Sequence, residues 1–69
     1  MFRRKKQYFF MISVRSTLLN RQVTLSGELE WKGYEYDAYL DRLNYVCREN
    51  GIDPNHSITV FWYMKPNKL

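Results

Sequence analysis

At 69 residues, 45% of them hydrophobic and 17% aromatic, the chain has room for one small domain with a thin core and no more. One cysteine, Cys47, and one histidine, His56, exclude a disulfide framework and a Cys/His zinc site, and no apolar run approaches the roughly 20 residues of a membrane-spanning helix. Eleven basic side chains against seven acidic ones give a net charge of +4, and that whole excess sits in Arg3-Arg4-Lys5-Lys6.

The basic run opens the chain, so residues 1–7 read as a flexible, charged leader ahead of a single domain over 8–69. Tyr8 to Arg15 is aromatic and β-branched and predicts a first strand. Phe10, Ile12 and Val14 share one of its faces and Phe9 and Met11 the other. Apolar residues on both faces predict a central strand, or an outer face that meets a partner. Leu18 to Gln22 predicts the turn. Val23 to Trp31 predicts a second strand, with Val23, Leu25, Leu29 and Trp31 alternating against Thr24, Ser26, Glu28 and Glu30. Gly27 lies inside it as a candidate bulge.

Glu35 to Asn50 predicts a helix. Tyr36, Tyr39, Leu40, Leu43, Val46 and Cys47 recur at helical spacing as its apolar stripe. Tyr34, Ala38, Asp41, Tyr45 and Arg48 are left for the outward face. Glu35, Asp37 and Asp41 near the start and Arg48 near the end suit the helix dipole, and Gly51 suits the position just past the end. Asp53-Pro54-Asn55 is turn chemistry. Ser57 to Lys65 predicts a third strand, with Ile58, Val60, Trp62 and Met64 opposed to Thr59, Phe61 and Tyr63.

The fold expected is therefore α+β: a β-β-α-β chain whose three-stranded antiparallel sheet has the order 2-1-3. One helix covers a single face, packing on Phe10, Ile12, Val14, Leu25, Trp31, Val60 and Trp62. The other face is left bare. It is expected to show Phe9, Met11, Ser13, Arg15, Phe61, Tyr63 and Lys65, flanked by Thr24, Glu28 and Glu30. An aromatic patch of this size marks a contact site rather than scattered surface apolarity. Residues 1–27 hold no acid, and every Asp and Glu lies between Glu28 and Asp53. The molecule is thus expected to be positive over the sheet and negative over the helix.

Two kinds of partner suit that face. Rings, Met and Arg are favoured in the cores of protein interfaces, so Phe9, Met11, Arg15, Phe61, Tyr63 and Lys65 would meet another protein or a second copy. An exposed strand edge could add a partner strand. The alternative is a nucleic-acid binder. There the same rings stack on bases, Arg15 and Lys65 contact the backbone, and Arg3, Arg4, Lys5 and Lys6 neutralise phosphates.

Catalytic chemistry finds little material. Glu30-Trp31-Lys32 spells the E-x-K pair of restriction-type, metal-dependent nucleases, but the preceding strand carries no acid to complete it. His56 follows a proline turn and reads as a surface residue; Cys47 belongs to the apolar stripe and reads as core filling. Three scattered glycines form no phosphate loop. The expectation is a soluble, cytoplasmic, non-enzymatic module with no cofactor, no metal, no membrane and no small-molecule substrate. It would work as an accessory or inhibitory factor by contact with a protein.

Overall fold

The computed structural model describes residues 6–67. Arg3, Arg4 and Lys5 of the basic run lie outside them. Three strands, β1 (Lys6–Ser16), β2 (Gln22–Trp31) and β3 (Ser57–Pro66), and one helix, α1 (Glu35–Asn50), follow in the order β1-β2-α1-β3, with a 3-10 turn at Pro54–His56. The sheet is antiparallel throughout and ordered β2-β1-β3. β1 begins at Lys6, two residues before the expected start, because Lys6 and Gln7 pair with Trp31 and Glu30.

The β1–β2 hairpin closes over Thr17–Arg21. Ser16 accepts at Oγ from the backbone N–H groups of Leu18 and Leu19, at 3.2 and 2.9 Å, and its own N–H donates to the Arg21 carbonyl at 2.8 Å. Asn20 takes the positive φ of 50° that ends the turn, a conformation that asparagine tolerates better than most residues. Across the hairpin the register from Lys6↔Trp31 to Arg15↔Gln22 is unbroken. Gly27 therefore marks no bulge. It stands opposite Phe10, where a Cβ would already touch the ring at 3.6 Å, so the missing side chain gives that ring its space.

The helix stops at Gly51, which is left-handed (φ 67°). Ile52 then donates to the Cys47 carbonyl at 2.8 Å and turns its side chain into the core. Phe10, Ile12, Val14, Leu29, Ala38, Val46, Cys47 and Ile52 are the buried centre, with Val23, Leu25, Trp31, Tyr39, Leu43, Trp62 and Met64 packed around it. Two features of the helix differ from the simple stripe. Ala38, placed by its pattern on the outward side, is 0% exposed, whereas Tyr36 is 66% exposed. The cylinder is rotated so that its smallest side chain meets the sheet, which brings the backbone closer than a tyrosine there would permit. On the outer side Tyr45 lies between two guanidinium groups, Arg42 at 4.7 Å and Arg48 at 5.9 Å.

β3 holds the main departure. Its pairing with β1 runs from Tyr8↔Pro66 to Ser13↔Phe61, then resumes at Val14↔Thr59. Val60 is the extra residue, and it is 52% exposed rather than under the helix. A bulge shifts every later side chain by one place. Thr59 thereby joins the helix side, where its hydroxyl hydrogen-bonds that of Tyr39, and Ile58 moves to the open side opposite Arg15.

Candidate functional site

Antiparallel pairing lines the open face up in rows. Glu28, Phe9 and Lys65 form one row; Ser26, Met11 and Tyr63 the next; then Thr24, Ser13 and Phe61; then Gln22, Arg15 and Ile58. Each row follows from the two-residue period of the strands, which turns alternate side chains to the same face. The sequence-predicted set of Phe9, Met11, Arg15, Phe61, Tyr63 and Lys65 is thus brought together on one surface. Lys6 is not: it stands opposite Trp31, in the register of the helix-side residues.

The apolar members of the face are half exposed, at 45% for Phe9, 40% for Met11, 47% for Phe61 and 42% for Tyr63. Phe61 and Tyr63, two residues apart on β3, stack with ring centroids 6.4 Å apart and 14° between planes. Ile58, opposite Arg15, extends the patch along the same strand, and the unpaired Val60 near it is half exposed as well. Sequence reasoning missed both, and for one reason: β3 is apolar in both of its alternating sets, so its pattern could not show where the phase slips. An open depression of about 350 Å³ lies between Phe9, Met11, Ser26, Gly27, Glu28 and Tyr63, wide enough for a partner's side chain.

The polar centre of the face is internally satisfied. Ser13, nearly buried, shares a hydrogen bond with the Thr24 hydroxyl at 3.0 Å and accepts from the Gln22 amide at 3.1 Å. Glu28 accepts from the Asn67 amide at 2.9 Å. The charges are mixed: Arg15 and Lys65 share the face with Glu28 and Glu30. The expected positive sheet surface is therefore not present among the described residues, where the face is balanced. The helix does carry the expected negative excess, with Glu35, Asp37, Asp41 and Glu49 against Arg42 and Arg48.

The two sheet edges are unlike. β2 runs ten residues in regular register with no strand on its outer side among the described residues. β3, the other edge, is interrupted by its bulge and ends on Pro66, two devices that discourage further pairing.

The remaining chemical candidates lie apart from one another. Glu30 and Lys32 stay exposed at the end of β2, and no group of three or more His, Cys, Asp or Glu side chains gathers at a possible metal site among the described residues. His56 ends the 3-10 turn and is held through its backbone carbonyl, which accepts from the N–H and hydroxyl of Thr17 at 2.9 and 3.0 Å. Cys47 is sealed in the core, and burial pushes its thiol pKa up. The neighbouring Ser57 side chain opposes that shift, and the charge of Asp53 adds to it. No helix among the described residues is long and apolar enough to cross a membrane.

No protein-family model matches the chain, and comparison with curated proteins and with solved structures gave no match either.

Proposed function

We propose that this chain is a non-enzymatic binding module whose open sheet face docks another protein, in the manner of an accessory or inhibitory factor. The observation that carries the reading is a patch of Phe9, Met11, Ile58, Phe61 and Tyr63, half exposed on the sheet face that no helix among the described residues covers. A small domain gains nothing in solubility from such a patch, and its removal from water by a partner is worth about 25 cal/mol per Å² of apolar area. The balanced charges around it favour a protein over a polyanion: Arg15 and Lys65 would find carboxylates on a partner, while Glu28 and Glu30 would repel phosphates. The edge of β2 offers a second means of attachment by strand addition. A buried lone thiol suits a reducing compartment such as the cytoplasm.

The test is the double variant Phe9→Ser/Phe61→Ser in a pull-down from nuclease-treated lysate, with sedimentation of the purified protein alongside. The variant should fold, because both rings already stand half in solvent, and should lose the captured protein by at least about tenfold, the loss of one or two anchor residues. A wild-type dimer that the variant abolishes makes the partner a second copy. Capture that survives the substitutions, or that vanishes on nuclease treatment and between low and moderate salt, defeats the reading; the latter result gives the face to nucleic acid.

A further inference from the structure

The helix side of the sheet carries a second concavity, separate from the open face. Glu35, Tyr36, Tyr39, Thr59 and Trp62 line an open cavity of about 470 Å³ where the start of α1 meets β3. That volume lies in the usual range for a small-ligand pocket. We propose that this cavity binds a methylated ammonium group, of the kind carried by free choline or by a trimethylated lysine side chain.

The argument begins with the aromatic walls. Tyr39 meets Trp62 edge-on, centroids 5.4 Å apart and planes at 70°, and Tyr36 lies 6.1 Å from Tyr39 at 38°. Three rings at such mutual angles surround a space instead of filling it by stacking. Their polar tips are largely occupied: the Tyr39 hydroxyl bonds to that of Thr59, and the Trp62 indole N–H donates to Glu35 Oε2 at 2.9 Å. At Tyr39 and Trp62 a ligand therefore meets π-electron density rather than free donors.

The charge in the cavity has one sign. Glu35 is the only ionisable carboxylate among the lining residues, and no basic side chain lines it among the described residues. The indole bond holds that carboxylate at the cavity wall. A ring face carries negative quadrupole charge, so aromatic walls and carboxylate both attract a cation, and the Glu35 carboxylate at the wall opposes an anion. A methylated ammonium is favoured over a bare one because it sheds water easily and asks for no hydrogen-bond acceptors, of which Glu35 has already committed one oxygen. Tyr36, 66% exposed and outside the core cluster, pairs with Tyr39 and completes this wall.

The measurement is a titration of the isotope-labelled protein with choline, followed at the Trp62 indole N–H, with the neutral isostere 3,3-dimethyl-1-butanol as control. A second arm uses a short peptide bearing trimethyl-lysine. At least one cation should bind with a dissociation constant on the order of millimolar or tighter, and the isostere about tenfold more weakly. Which cation binds tighter assigns the source. Glu35→Gln, which retains an acceptor for the indole, should weaken binding about fivefold, and Tyr36→Leu, which keeps an apolar wall but removes the π face, by a similar factor. Equal binding of the isostere, indifference to both substitutions in folded variants, or a motionless Trp62 resonance overturns the proposal. None of these results bears on the open-face reading, whose residues lie on the other side of the sheet.

Discussion

One sheet serves two opposite purposes, and its two faces differ in how their apolar side chains are treated. Under α1, Phe10, Ile12 and Val14 are at most 4% exposed and touch Leu29, Ala38, Val46 and Cys47. One residue along, Phe9 and Met11 carry comparable side chains at 45% and 40% exposure, with no layer above them among the described residues. The strand supplies apolar side chains alternately to both faces, but the described residues supply one helix, which covers one of them. Hydrophobicity alone therefore does not make a core here; the presence of a covering element does. The face without cover retains the same driving force, unspent until a partner arrives.

Substitutions can break or sharpen this contrast. The largest effect is expected at Ile12, fully buried beneath the helix. Ile12→Ala should cost about 2–5 kcal/mol, enough to unfold much of a domain whose total stability is on the order of 5 kcal/mol. Urea denaturation would show it, and a loss below about 1 kcal/mol would mean the covered face is loosely packed. Next, Ala38→Leu should destabilise by about 1–3 kcal/mol, because the added bulk forces the helix off the sheet; a helix turned as its sequence stripe suggests would accept leucine on its outer side without penalty.

A smaller effect concerns Cys47 and depends on pH. Its thiol pKa is raised in the folded state, first by burial, so folding holds the proton more tightly than the unfolded chain does. That contribution is complete below the unfolded value of about 8.5 and fades as pH rises through the higher folded value. Urea midpoints compared between pH 7 and about pH 9.5 should fall more for the native chain than for Cys47→Ala, whose drop reports the remaining groups. Equal drops would show that the thiol titrates alike in both states. The smallest effect is expected at Val60. As an unpaired, half-exposed bulge residue it should tolerate Val60→Ser within about 0.5 kcal/mol by thermal melt, whereas a valine beneath the helix would lose several times that.

Much of this was legible in the residues themselves. The strand alternations of Tyr8–Arg15 and Val23–Trp31, the helical spacing over Glu35–Asn50 and the turn chemistry at Gly51 and Asp53-Pro54 are local signals, readable without knowing what lies nearby. They give the element order, and connection rules together with the doubly apolar β1 favour the order β2-β1-β3, which the structure has. The open face was legible too, since Phe9 and Met11 must stand opposite Phe10 and Ile12, and the pairing of Met11 with Tyr63 and of Ser13 with Phe61 carries it onto β3.

Other features were decided only by contact between elements. Which turn of α1 faces the sheet depended on Ala38 fitting against it, a matter of volume that an apolar stripe does not encode. The slip at Val60, which sends Ile58 outward and Thr59 inward, arises where β3 must satisfy β1 and the helix together; both alternating sets of that strand are apolar, so its own pattern was neutral between phases. The bond from the Trp62 indole to Glu35 joins residues 27 positions apart, and with it the cavity they line came into being only when helix and strand met. Period and propensity act within a few residues; rotation, bulge and cavity are set by the fit of surfaces that are distant in the chain and meet only in the folded molecule.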